Sequence, residues 1–179
     1  MKLMIISDIH GSYTNLKKII DIYEEKKADK LIILGDILYH GPRNPLPDGY
    51  DPKKVAELLN QYKDKIIAVR GNCDSEVDQM VLDFDMMCTY TRIYLDNRCF
   101  FLTHGHHYDK EHMPYLNKGD VLLYGHYHIP MLEEKEGIYI VNPSSISLPK
   151  QGEKSFIIYE NNEITILTLD KKVVLSKKI

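Results

Sequence analysis

Along the first seventy residues, short apolar runs that end in a polar pair alternate with stretches of helical period. Lys2–Ile6 is such a run and stops at Ser7-Asp8, after which Leu16, Ile19, Ile20 and Tyr23 recur three to four residues apart. The first pattern predicts a buried strand and the second an amphipathic helix. Leu31-Ile32-Ile33-Leu34 predicts a second strand, closed by Gly35-Asp36. Between His40 and Pro52 stand Pro42, Pro45, Pro47 and two glycines, which predicts loop. Pro52 suits a first helical turn, where a missing N–H costs nothing, and Val55, Leu58, Leu59 and Tyr62 give the following helix one apolar face. Ile66–Val69 reads as the third strand, ending at Arg70-Gly71-Asn72. A β-α-β-α-β order predicts parallel strands joined by right-handed crossovers.

The pattern then changes. A short helix is expected over Asp74–Met80, after which Thr89–Leu95 and Arg98–Thr103 read as strands around Asp96-Asn97. Val121–Tyr124 and Ile138–Val141 are further short strands, and Phe156–Tyr159 and Ile164–Leu169 flank Asn161-Asn162, a hairpin turn that needs positive φ. The reading is a single-domain α/β sandwich over residues 1–179, a mixed parallel half followed by an antiparallel-rich half, with helices outside. Cys88 and Cys99 fall in strand-like runs and read as buried small hydrophobes. The pairs Lys171-Lys172 and Lys177-Lys178 read as a solvated terminus.

Composition narrows the function classes. A chain of 179 residues, 44% of them hydrophobic, buries a core without disulfide staples. A net charge of −3 gives no general attraction for a nucleic-acid polymer. Three cysteines, Cys73, Cys88 and Cys99, form no framework, which fits a reducing, cytoplasmic setting. No apolar run approaches the ~18 residues of a membrane span, and Asp8 interrupts the N-terminal run before a signal-peptide core, so no membrane partner is expected. A homo-oligomer is compatible with all of this.

The chemistry sits at strand ends. The expected strands close on Asp8-x-His10-Gly11, Gly35-Asp36, Gly71-Asn72-x-Asp74, His104-Gly105 and Gly125-His126-x-His128. Ligands of open α/β sheets collect outside the carboxyl ends of strands, so these five segments converge. Asp8 with His10, and His126 with His128, are two apart and address the same side of an extended segment. Seven oxygen and imidazole ligands exceed what one ion takes from protein while leaving a position for substrate, so two ions are the economical reading. Two dications ~3.5–4 Å apart repel by ~15–20 kcal/mol at an effective dielectric of ~20, which demands a shared anion. Asp36 is the candidate bridge.

This ordered set, from Asp8 to His128, resembles the calcineurin-like metallophosphoesterases. His40-Gly41-Pro42-Arg43-Asn44-Pro45-Leu46-Pro47 and Gly71-Asn72-Cys73-Asp74 narrow the resemblance to the small bacterial phosphodiesterases of that superfamily. The resemblance implies an αββα sandwich and two divalent metal ions, commonly manganese, with zinc, iron and nickel as alternatives the ligand types do not separate. It assigns Asp8, His10, Asp36 and His128 to one metal, and Asp36, Asn72, His104 and His126 to the other. The function it implies is hydrolysis of small or activated phosphate diesters by a metal-activated hydroxide, with a phosphomonoesterase or a catalytically weak interaction module as alternatives.

Three residues are candidates for catalysis beside the metals. Arg43 reaches toward a substrate phosphate or toward solvent. Asp74 contacts a leaving group or caps the helix that follows. Cys73 occupies the position where many members of the superfamily carry a histidine that protonates the leaving oxygen, and a thiol of pKa near ~8.5 is the poorer proton relay. His40, His106, His107 and His112 lack motif support and read as exposed or supporting positions.

Overall fold

In the computed structural model, which describes residues 1–179, the chain folds in the order β1 (Leu3–Ile6), α1 (Tyr13–Lys26), β2 (Lys30–Ile33), α2 (Pro52–Asn60), β3 (Ile66–Ala68) and α3 (Glu76–Gln79). There follow β4 (Tyr90–Leu95), β5 (Arg98–Thr103), β6 (Val121–Leu123), β7 (Pro130–Lys135), β8 (Ile138–Pro143), β9 (Ser155–Glu160), β10 (Glu163–Thr168) and β11 (Val173–Lys178). They form two sheets, ordered β11-β10-β9-β1-β2-β3 and β4-β5-β6-β8-β7. β1 is parallel to β2 on one side and antiparallel to β9 on the other. The N-terminal parallel unit and the C-terminal meander therefore share a sheet. In the second sheet β5, β6 and β8 run parallel between two antiparallel flanks. Both sheets are mixed, and the two halves of the sequence do not correspond to the two sheets.

Strand period sorts the core into layers. Leu3, Ile5, Ile32 and Leu34 face Phe100, Leu102, Val121 and Leu123 between the sheets. Met4, Ile6, Leu31 and Ile33 pack under Leu16, Ile19, Val55 and Leu59 of the helices. Because β1 and β2 are covered on both faces, they read as unbroken apolar runs rather than alternating ones. On the outer face of the second sheet, Phe101, Leu122, Tyr124 and Ile140 are covered by Tyr108, Met113 and Leu116 of an irregular segment, not by a helix. That segment is pinned by carboxylates: Asp109 accepts the Tyr127 hydroxyl at 2.6 Å, and Asp120 accepts the Cys99 and Asn117 N–H groups.

Local signals explain the boundaries. Ser12 caps α1, Lys27 closes it in the left-handed region, and Asp51-Pro52 opens α2. Asp96-Asn97 and Asn161-Asn162 have φ of 53° and 60° in both turns, the geometry a two-residue hairpin requires. A third such turn, Glu136-Gly137, joins β7 to β8. Two expectations are corrected. Cys99 is buried in β5, but Cys88 precedes β4 and is exposed. The lysine-rich end is not merely solvated, because Val173–Lys178 pairs with β10 and Lys177 reaches Glu134 of β7 at 2.8 Å.

Candidate metal centre

Five loops leave the carboxyl ends of β1, β2, β3, β5 and β6 and meet at one end of the sandwich. Asp8 and His10 follow β1, Asp36 follows β2, Asn72 follows β3, His104 follows β5, and His126 and His128 follow β6. Asp8, His10, Asp36, His126 and His128 all have left-handed backbone, with φ between 48° and 65°. Each such residue costs ~1–3 kcal/mol, and the conformation persists only where the surroundings over-determine it. Here they do: Asp8 N–H donates to Gly35 O at 3.1 Å and His10 N–H to Asp36 O at 2.9 Å. Two glycines permit the close approach. A Cβ at Gly71 would fall 2.1 Å from Asp36 Oδ1, and one at Gly125 would fall 1.8 Å from Ser7 Oγ.

The side chains converge as a buried charge cluster. His128 Nε2 lies 3.1 Å from Asp8 Oδ1, and His10 Nε2 lies 3.7 Å from both Asp8 Oδ1 and Asp36 Oδ2. His104 Nε2 is 3.4 Å from Asp36 Oδ2 and 3.0 Å from Asn72 Oδ1. Asp36 Oδ2 thus faces both His10 and His104, and its Oδ1 accepts the Cys73 N–H at 2.8 Å. Asp8, His10 and His128 form one group with ligand atoms close enough for a shared ion, and Asp8, Asp36 and His104 form another. Asp8 Oδ1 is buried without a hydrogen-bond partner. An orphaned carboxylate oxygen ringed by imidazole nitrogens fits a divalent cation.

Backbone carbonyls set the imidazole tautomers. Nδ1 of His10 lies 2.9 Å from Tyr39 O, Nδ1 of His104 lies 2.7 Å from Leu34 O, and Nδ1 of His128 contacts Leu148 O. A carbonyl accepts only, so each Nδ1 carries the proton and each Nε2 is turned toward the carboxylates as a potential ligand. Burial pulls the His104 ring down, but the Asp36 hydrogen bond and the charges of Asp8 and Asp36 outweigh it and push its pKa up to about 9. Burial likewise opposes, and Asp8 reverses, the shift of His128, which is raised. Burial pushes Asp8 up, yet the imidazole of His128 at 3.1 Å and those of His104 and His10 beyond it hold it well below the carboxylate range.

His126 stands a step outside. Its backbone N–H donates to Asp8 Oδ2 at 3.0 Å, while its half-buried ring packs edge-on against His104 at 5.1 Å between centroids. Burial and the neighbouring His104 lower its pKa. Its ring lines a cavity of about 630 Å³ together with Asp36, Asn72, Cys73 and His128. Arg43 and Lys150 lie in the same wall, and neither forms an ion pair.

Cys73 and Asp74 divide. The Cys73 thiol borders the cavity, accepts from Asn72 Nδ2 at 3.3 Å, and is pushed up to about 12 by burial and the Asp36 charge. Asp74 is not the cap of α3, whose cap is Ser75 with Asp78 completing the capping box. Its Oδ2 accepts the N–H groups of Asp36 and Gly71 at 2.8 and 2.7 Å, and its Oδ1 accepts that of Ile37 at 2.8 Å. Both oxygens are committed to shaping the Asp36 loop, and burial pushes the carboxyl up to about 6 in spite of those donors.

Some supporting residues escaped the sequence reading. Ser145 Oγ donates to Asp8 O at 2.7 Å and Ser147 Oγ to Ile9 O at 2.8 Å, holding the first loop from behind. Lys150 and Tyr39 escaped as well. The available signal was Asn142-Pro143-Ser144-Ser145, another polar cluster at a buried strand end.

Known proteins resemble this chain over most or all of its length. Phosphodiesterase YfcE of Escherichia coli K12 is 46% identical over 178 residues, covering 99% of this chain and 97% of that protein. The solved structure of the E. coli phosphoesterase YfcE superposes with a TM-score of 0.98 at 45% identity, with 100% of both chains covered. Phosphodiesterase MJ0936 of Methanocaldococcus jannaschii is 29% identical over 151 residues, 80% of this chain and 82% of that one. The sequence model of the calcineurin-like phosphoesterase superfamily domain matches residues 1–163, a span that contains every loop of the polar cluster. This chain belongs to the calcineurin-like phosphoesterase superfamily.

Proposed function

We propose that the chain is a metal-dependent phosphodiesterase that hydrolyses small phosphate diesters, using two divalent ions, manganese foremost, held by Asp8, His10, Asp36, Asn72, His104, His126 and His128. The observation that carries this reading is the convergence of His10, His104 and His128, each with Nε2 turned inward, around the unpartnered Asp8 Oδ1 beside Asp36. Relatives named phosphodiesterase support the reaction class. Divalent ions there supply Lewis-acid polarisation of a phosphoryl oxygen and acidification of a water.

The chain's own residues supply the rest. The nearness of Asp36 Oδ2 to both His10 and His104 supports reading it as the carboxylate shared between two ions. Arg43 and Lys150 face the same cavity and give an acidic protein a locally cationic wall for a phosphate. The cavity, at about 630 Å³, suits a small ester rather than a polymer. The Cys73 thiol stays protonated at neutral pH and is a weak proton donor, which favours esters with good leaving groups. A cytoplasmic setting accords with three cysteines that make no framework.

Metal-stripped protein re-supplied with single ions and assayed on matched mono- and diesters tests this reading. Manganese should restore turnover, with close to two ions per chain by elemental analysis and diesters preferred over monoesters. Monoester preference, or full turnover without added ion, contradicts it.

A further inference from the structure

Beside the metal cavity lies a second cavity of about 680 Å³, and the two share Tyr39 and Cys73 in their walls. The walls of the second are of a different kind. Leu38, Tyr50, Pro52 and Ala56 line it together with Val77 of α3 and Val81 just after that helix. Val77 is 68% exposed and Val81 50% exposed, so two aliphatic side chains border an open groove with nothing from this chain covering them. Charge is confined to Lys53, Glu57 and Asp78, and Lys53 and Glu57 face one another at 4.0 Å.

The geometry points to this groove as the subsite for an apolar ester arm, aryl or alkyl, of the phosphodiester whose phosphoryl group lies in the metal cavity. Adjacency at Tyr39 and Cys73 is the first argument, because these two residues border both cavities and an arm leaving the polar cluster past them meets the aliphatic wall. The second is chemical division. The metal cavity is lined by Asp36, Arg43, Asn72, His126 and Lys150, whereas the adjoining groove offers Leu38, Ala56, Val77 and Val81. A ligand spanning both has a charged head and an apolar substituent. The third is size, since cavities of ~300–1,000 Å³ bury most of a small organic ligand. Apolar area removed from water there increases affinity with each added carbon.

This inference rests on the phosphodiesterase reading, and its test separates the two. Manganese-loaded full-length protein is titrated by calorimetry with dimethylphosphinate and with methyl(phenyl)phosphinate, neither of which has an ester bond to lose. The phenyl compound should bind at least tenfold more tightly. Val77→Asp and Val81→Asp, on exposed positions, should each cut that ratio below threefold, and Val77→Leu should preserve it, with circular dichroism confirming the fold. A ratio within threefold in the unsubstituted protein, or one that neither aspartate moves, overturns the groove assignment while leaving the phosphodiesterase intact. Absence of binding by both phosphinates overturns the phosphate site and the groove together.

Discussion

His10 and His128 point their Nε2 atoms at each other across 3.3 Å, while Nδ1 of each ring is engaged by a backbone carbonyl. Two neutral rings in that arrangement oppose lone pair to lone pair, so a proton or a cation must sit between or beside them. The fold has committed the donor side of both rings to the scaffold and left only the acceptor side for a ligand.

Metal binding therefore competes with protons. His104 is raised from 6.5 to about 9 in the metal-free chain, so its ion pairing stabilises the fold fully below pH 6.5 and is lost as pH rises through 9. A divalent ion requires the neutral ring. Apparent affinity for manganese should climb by about tenfold per pH unit over that window, with proton release on binding. Calorimetry in buffers of different ionisation enthalpy counts the protons, and a pH-independent affinity between 6.5 and 9 refutes the linkage.

On the proposed two-ion reading, Asp36→Asn should weaken both sites at once. Its Oδ2 lies 3.7 Å from His10 Nε2 and 3.4 Å from His104 Nε2, and the amide removes the negative charge from that shared position. Elemental analysis after manganese loading should fall well below two ions per chain. Full occupancy by two ions shows that the bridge lies elsewhere.

Asp74→Ala should act on stability before chemistry. It leaves the N–H groups of Asp36, Ile37 and Gly71 without their acceptor. At ~1–3 kcal/mol for each unsatisfied buried donor, a loss of ~3 kcal/mol or more is expected in urea unfolding. A variant of unchanged stability with no turnover would instead make Asp74 a catalytic residue.

Cys73→His should raise the diesterase rate roughly tenfold or more, a part of the ~10²–10⁴ that a general acid supplies. Position 73 borders both cavities, so a larger ring has space. Cys73→Ala should change the rate little, because a thiol held near 12 gives up its proton poorly. Loss of turnover in the alanine variant at constant metal content makes the thiol itself catalytic.

How much of this was legible beforehand depends on which force placed each residue. The central strands β1, β2, β5 and β6 are buried on both faces, and their apolar runs mark them in any sequence window. β7 and β11 are edge strands, largely exposed, and Glu133-Glu134-Lys135 and Ser176-Lys177-Lys178 carry no apolar pattern. Pairing with β8 and β10 makes them strands, which is a long-range decision. The Glu136-Gly137 turn was the one local clue. At the site, Asp8, His10, Asp36 and His104 are legible because each interrupts a buried run at its end. Asp74 is the contrary case, since its work is to accept three N–H groups, two of them from a loop 37 and 38 residues away. A carboxylate's partners of that kind leave no trace in spacing.

The polar cluster also has a mechanical side. Asp8, His10, Asp36 and Asn72 hang from the six-stranded sheet, whereas His104, His126 and His128 hang from the five-stranded one. Any ion gripped by members of both groups rivets two independently hydrogen-bonded layers together at their carboxyl ends. The opposite end of the sandwich is fastened without an ion, by the Tyr159 hydroxyl donating to Asp96 at 2.7 Å and by the Lys177–Glu134 pair at 2.8 Å. At free ion a hundredfold above its dissociation constant, each occupied site adds ~2.7 kcal/mol to the folded state. Chelation should therefore loosen the sandwich like a hinge, with amide exchange quickening first where β5 and β6 meet β1 and β2, and the far end following only on global unfolding.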